Sequence, residues 1–228
     1  MMGAIVIRPE PGCAASVGAL GAMDVAAAGY PLFKVEPVAW DAPAPGGFDL
    51  VLAGSANVFR HGGAGLKQYR ALPVHAVGEA TAEAARAAGF GVAVTGSGGL
   101  QGVLDAIPAG TRVLRLAGAE RVALEPPAGV AMAERVVYAS VARPMTDELA
   151  AQLGGAVVLL HSAEAARHFA AECDRLGVLR DGVALATIGP RVTLAAGSGW
   201  RTVATAPEPS ETALLAKARE LCQDLTGD

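Results

Sequence analysis

Ser55 and Ser162 each close a short apolar run, Asp49-Leu50-Val51-Leu52-Ala53-Gly54-Ser55 in one case and Val157-Val158-Leu159-Leu160-His161-Ser162 in the other. Gly78 and Gly189 hold similar places, in Ala76-Val77-Gly78-Glu79-Ala80-Thr81 and Thr187-Ile188-Gly189-Pro190-Arg191-Val192. Each reads as the end of a strand and the start of a helix. A helix start leaves backbone N–H groups unpaired and carries partial positive charge, so it suits a carboxylate or another anion. Each charge-assisted hydrogen bond there contributes roughly 1.5–3 kcal/mol. The serines also suit simple helix caps, worth about 1 kcal/mol of stability. The two roles can coexist.

The serines stand 107 positions apart and the glycines 111, so the second half of the chain repeats the first with small indels. Gly89-Phe90-Gly91-Val92-Ala93-Val94 and Gly199-Trp200-Arg201-Thr202-Val203-Ala204 extend the match. Two similar lobes imply a cleft between them, where ligand chemistry is expected. A length of 228 residues accommodates two small domains. Short β-branched runs alternate with alanine-rich stretches, the pattern of parallel α/β sheets. Strands are expected at 4–8, 32–38, 49–53, 74–77, 92–95, 112–116, 135–141, 156–160, 183–188 and 202–205. Helices should fill 11–28, 56–70, 79–88, 100–107, 146–153, 163–177, 190–197 and 210–225, with Gly29, Gly89 and Gly177 as stops. Each half then reads as β-α-β followed by β-α-β-α-β-α. Glu36-Pro37 and Arg143-Pro144 are natural crossings between lobes. The pattern leaves open whether each half folds by itself or the halves exchange their leading β-α-β units.

Composition narrows the function. A net charge of −4 provides no basic field to draw nucleic acid. Aromatics make up 4% of residues against 52% hydrophobics, so the cores must be built from Val, Leu, Ile and Ala. Cys13, Cys173 and Cys222 lack CxxC spacing, which disfavours a disulfide scaffold or a zinc site. The opening residues show no signal peptide, and glycines interrupt the uncharged stretch 87–104, so a soluble cytoplasmic protein is expected. Gly96-Ser97-Gly98-Gly99-Leu100-Gln101-Gly102 imitates a dinucleotide fingerprint, but Gln101 stands where the third glycine belongs. Gly62-Gly63-Ala64-Gly65-Leu66-Lys67 imitates a phosphate loop and lacks its spacing.

With the repeat laid out, the sequence resembles the uroporphyrinogen-III synthase family over essentially its whole length. The resemblance rests on a strand running into Arg8-Pro9, on Phe48–Asn57 (FDLVLAGSAN), Val77–Ala82 (VGEATA), Val136–Tyr138 followed by Arg143-Pro144, Ile188-Gly189-Pro190, and Pro209–Leu215 (PSETALL). It implies an α/β fold of two Rossmann-like or flavodoxin-like lobes with parallel sheets, related by internal duplication and joined by a two-strand linker. Residues 1–38 would pack with 143–228, and 39–142 would form the second lobe. The implied reaction cyclises hydroxymethylbilane, a linear tetrapyrrole with eight carboxylates, inverting the last ring and losing water. No cofactor or metal is implied, and a monomer that binds neither nucleic acid nor membrane is expected.

The resemblance singles out Tyr138, matching a tyrosine the family carries at the end of the returning strand. A phenol with pKa near 10 is protonated at neutral pH and can donate to a departing hydroxyl, as a general acid or as a hydrogen-bond donor. A strand tyrosine packed on a helix is the plain alternative. Ser55, Thr81, Ser162, Gly189, Arg8 and Arg191 are the expected substrate-binding residues. For Thr81 the competing role is a bond back to its own helix. Arg191 and Val192 depart from the hydroxyl residues usual there. His161, His75, Arg115 and Arg143 are weaker candidates. Two lobes on two strands should open softly and close on ligand. A non-catalytic two-lobed module that closes on a small anion is the rival reading.

Overall fold

The computed structural model describes residues 3–224. In chain order the elements are β1 Ala4–Val6, α1 Gly12–Gly21, β2 Ala27–Gly29, β3 Phe33–Pro37, β4 Leu50–Ala53, α2 Asn57–His61, β5 Val74–Val77, α3 Glu79–Ala87, β6 Val92–Gly96 and α4 Leu100–Asp105. There follow β7 Arg112–Gly118, β8 Ala131–Ala142, α5 Asp147–Gln152, β9 Val157–Leu160, α6 Ala163–Leu176, β10 Ala184–Thr187, α7 Pro190–Ala196, β11 Thr202–Thr205 and α8 Glu211–Asp224. They form two compact units, Met1–Lys34 with Val141–Asp228, and Val35–Ser140.

The first unit holds a five-stranded sheet in the order β11-β10-β9-β1-β2, parallel throughout, with Ala4 opposite both Ala27 and Val157. The second holds a six-stranded sheet in the order β3-β8-β7-β4-β5-β6. Its last five strands are parallel neighbours. The sheet as a whole is mixed, where the sequence led us to expect parallel sheets. The chain enters this unit along β3 and leaves it along β8, so these two neighbours run in opposite directions. Apart from β3 the two sheets have the same order. A leading pair (β1 and β2, or β7 and β8) lies beside the first of three strands that follow one another (β9 to β11, or β4 to β6). The leading pair of each sequence half therefore completes the sheet built from the trailing strands of the other half.

Both sheets are covered on both faces. Ile5, Val158 and Leu185 pack under α5, α6 and α7, while Ala4, Val157 and Ala186 pack under α1 and α8. In the second unit Val51, Leu114 and Leu116 face α2 and α3, and Leu52 and Val113 face Val103 and Leu104 of α4. That last layer is the thinnest. Where the repeat predicts a helix between β7 and β8, residues 119–130 form an extended strap. Pro126 and Pro127 cannot donate to a helix ladder and clash with the preceding turn, so the strap stays open.

Two further expectations fail locally. The helix placed at 11–28 stops at Gly21, and Ala27–Gly29 is a strand. Alanine's helix propensity hid β2, and the stop signal is Asp24, which takes φ 59, a conformation that Asp tolerates better than most residues. Gly29 serves close packing instead, since a Cβ there would lie 2.7 Å from Cys13 Sγ. The helix placed at 56–70 breaks at Gly62 into α2 and a 3₁₀ stretch over Ala64–Tyr69. Gly89 and Gly177 follow helices with φ of 86° and 68°, as left-handed stops require.

Candidate active site

In open parallel sheets, ligands bind beyond the carboxyl ends of the strands where the strand order reverses. In the second unit that point lies between β4 and β7, and a cavity of about 640 Å³ opens there. Gly54 and Ser55 follow β4, Gly118 ends β7, Leu100 opens α4, and the strap supplies Glu120 to Leu124; Tyr138 of β8 completes the lining. The volume is in the usual range for a small-molecule site.

Tyr138 is held by glycine chemistry. It sits opposite Gly118 across β7 and β8, where the register slips by one residue. A Cβ at position 118 would lie 2.6 Å from Tyr138 Cζ and 2.9 Å from its hydroxyl. The ring therefore lies across bare backbone that only glycine leaves open. Ala119 N–H donates to the Tyr138 carbonyl at 2.9 Å and fixes the start of the strap. The phenol is half-buried, and among the described residues its hydroxyl makes no hydrogen bond.

Ser55 accepts from Asn57 N–H at 3.2 Å, and α2 is only five residues long. Thr81, in the first turn of α3, is 5% exposed. Among the described residues its hydroxyl has no hydrogen bond back to the helix, and Thr81 N–H donates to the Gly78 carbonyl at 3.1 Å. Gly78 starts that helix with φ 77.

In the first unit, Ser162 is the N-cap of the 14-residue α6, accepting from Ala165 N–H at 3.1 Å. Gly189, extended at φ 177, precedes Pro190 at the first position of α7. Arg191 is exposed on that helix and has no ion pair among the described residues. Arg8, expected to contact substrate, is engaged within the protein. It pairs with Glu211 at 2.7 Å and lies so close to Gly12 that a Cβ there would be 2.6 Å from its Nε. Ser16 donates to the same carboxylate at 2.5 Å, and His161 Nε2 stands 3.2 Å from it. His161 Nδ1 is buried without a partner among the described residues. Burial would raise the Glu211 pKa, but hydrogen bonds from His161 and Ser16 and the charges of His161 and Arg8 outweigh it and hold the group at about 2. His75, half-buried on β5, has its pKa lowered by burial.

The profile of one family, described as uroporphyrinogen-III synthase HemD, matches residues 15–216 of the chain. The chain belongs to the uroporphyrinogen-III synthase family. This family comprises cyclising lyases of tetrapyrrole biosynthesis, and nothing supports the non-catalytic rival. Among solved structures, uroporphyrinogen-III synthetase from Helicobacter pylori is similar at 17% identity over 97% of this chain and 100% of that one, with a TM-score of 0.63. The likeness extends the family fold to this chain. A wild-type Thermus thermophilus synthase shares 16% identity over 99% and 98% of the two chains, with a TM-score of 0.43. A mutant form of the Thermus enzyme shares 15% over 97% and 99%, at 0.48. No curated protein matches the sequence significantly. Among the described residues, no helix is long and apolar enough to cross a membrane.

Several features of the cavity and of the Glu211 network escaped the sequence. Glu211 lies inside the quoted PSETALL run, and its place as the first residue of α8, where a carboxylate favours the helix dipole, was a usable signal. Gly118 gave none, because its purpose is a contact made 20 positions later. Gln101, dismissed as a failed fingerprint glycine, clamps the strap. Its side-chain amide donates to the Glu125 carbonyl at 2.8 Å and accepts from Glu125 N–H at 3.0 Å.

Proposed function

We propose that this chain cyclises hydroxymethylbilane to uroporphyrinogen III, with Tyr138 as the residue that assists departure of the hydroxyl. Membership of the family across residues 15–216 carries the reading. A tyrosine hydroxyl with no hydrogen bond among the described residues, on a cavity at the strand-order reversal, supports it. Tyr138 hydrogen-bonds the leaving hydroxyl and passes it a proton; the C–O bond breaks, water departs, and a pyrrole nitrogen lone pair forms the azafulvene. The substituted carbon of the last ring attacks the new electrophile and gives a spiro intermediate. That intermediate fragments at its other methylene bond and recloses through the free position. The proton lost as the ring regains aromaticity restores the phenol.

The remaining task is positioning. Ser55 and Thr81 from one unit, and Ser162, Gly189 and Arg191 from the other, receive substrate carboxylates through hydroxyls, helix-start N–H groups and a guanidinium. Arg8 serves them indirectly, by holding Glu211 and His161 in place. The protein works as a cytoplasmic monomer, which sedimentation in dilute solution would check.

The deciding experiment is turnover of freshly prepared hydroxymethylbilane by chelator-treated protein, with the product isomers separated. Spontaneous closure gives the uninverted type I ring, so an excess of type III is the expected result. Type I product alone would overturn the reading.

A further inference from the structure

Arg115 is a charged residue in a place built for an apolar one. Its neighbours on β7, Val113, Leu114 and Leu116, are fully buried, and Arg115 itself is 3% exposed. One terminal nitrogen pairs with Glu134 at 2.7 Å, and the other donates to the Val122 carbonyl of the strap at 2.7 Å. Its Nε is buried with no partner among the described residues. Glu134 lies opposite Arg115 in the β7–β8 register, which explains the pairing. The same carboxylate also serves Arg121, whose Nε is 2.5 Å from it. Two guanidiniums therefore share one anion. Burying such a group costs more than an apolar residue of equal size would, so stability alone does not account for it. Burial holds the guanidinium's pKa below its ordinary value, partly offset by Glu134.

Arg115 and Arg121 both line the cavity beside Tyr138, whose other walls include Val58, Leu100, Leu116 and Leu124. Among the described residues the only carboxylate on that lining is the exposed Glu120. An apolar slot with an under-neutralised cation pair in its wall suits a flat ring bearing a carboxylate arm. We propose that this cavity seats one pyrrole ring of the substrate, with Arg115 and Arg121 binding an acetate or propionate arm of that ring. The incoming carboxylate supplies the second anion. It lets Arg115 exchange the neutral Val122 carbonyl for a charged acceptor, a stronger bond. The assignment rests on the proposed synthase activity for the identity of the ring, and Arg115 acts in it as a binding residue.

The test uses uroporphyrin, the oxidised and unreactive octacarboxylate ring, titrated into full-length protein. Arg115→Met should weaken its binding about tenfold, the loss of one charge-assisted hydrogen bond. It should raise KM by a similar factor with kcat nearly unchanged. Arg115→Lys, which keeps the charge, should recover most of the affinity. Glu134→Gln removes the competing carboxylate and should bind the porphyrin several-fold more tightly, whatever the folding of Arg115→Met. Unchanged affinity in a folded Arg115→Met, or weaker binding in Glu134→Gln, would show the cluster to be structural and overturn the proposal. Type I product alone from the wild type would remove the synthase reading, while the binding titrations would still decide Arg115.

Discussion

The same position in the two units has been used in opposite ways. Each sheet reverses its strand order beside its leading strand, next to β1 in one unit and β7 in the other. In the first unit that point is filled from within. Arg8 follows β1, Ser16 comes from α1, His161 follows β9, and Glu211 opens α8; all three partners converge on the one carboxylate. In the second unit the matching places are Gly118 at the end of β7, Ser55 after β4 and Leu100 at the start of α4, and they surround a cavity. The difference traces to one missing element. Helix α1 covers its sheet beside α8, whereas only the strap lies beside α4. A duplicated framework has kept one strand-order reversal as a closed ion network and left the other open as a cavity.

The comparison is sharpened most by Tyr138→Phe. If the open unit carries the chemistry, this change should lower kcat by about 10²-fold, the lower end for acid–base assistance, at unchanged stability. Isomer-resolved kinetics with a thermal melt would check it, and unaltered turnover would remove the phenol from the reaction. Gly118→Ala should follow at roughly tenfold, because a methyl 2.6 Å from the ring must push Tyr138 off its seat. An alanine variant of normal activity would show that the ring's placement is loose.

The closed unit should answer to pH instead. Glu211 has a folded-state pKa of about 2 against an ordinary 4.5, so it stabilises the fold above pH 4.5 and loses that contribution as pH falls toward 2. More than a third of its side chain faces solvent, so the contribution is on the order of 1–2 kcal/mol rather than the full linkage value. Denaturant midpoints at neutral pH and near pH 3 should converge for wild type and Glu211→Gln as acid is added. Parallel curves would place the stability elsewhere. The smallest contrast concerns the paired serines. Ser162→Ala should cost about 1 kcal/mol of stability by uncapping α6, besides a loss of activity of at most about tenfold. Ser55→Ala should leave the melt nearly unchanged and lower activity at most about tenfold, and a reversal of these two results would undo the division of roles.

Much of this was legible in the sequence, for a physical reason. Fully buried parallel strands such as Val157–Leu160 must be continuously apolar, Gly78 marks a helix start by a positive φ, and Pro190 marks one by its place at the first helical position. Those signals are local. The strand Ala27–Gly29 was hidden because its alanines suit a helix equally well, and only pairing with β1 decides between them. The cavity was hidden because it arises from a helix that does not form and from Arg115, whose burial depends on a partner 19 positions away. Ser55 and Tyr138 could be named from the sequence, but their convergence on one cavity could not.

The exchange of leading strands also sets an order of assembly. Val35–Ser140 is continuous, so every strand of its five-stranded parallel core is present once β8 has left the ribosome. Strand β1 must wait for β9, whose Val157 pairs with Ala4. Until then ordering the N-terminal segment would cost chain entropy with few contacts in return, and its β1 edge stays open to wrong partners. We infer that the cavity-bearing unit folds first during synthesis and the ion-network unit last. Hydrogen exchange on stalled nascent chains from which β8 has emerged and β9 has not would show protected amides in β4 to β7 and an unprotected β1; early protection of β1 would refute that order.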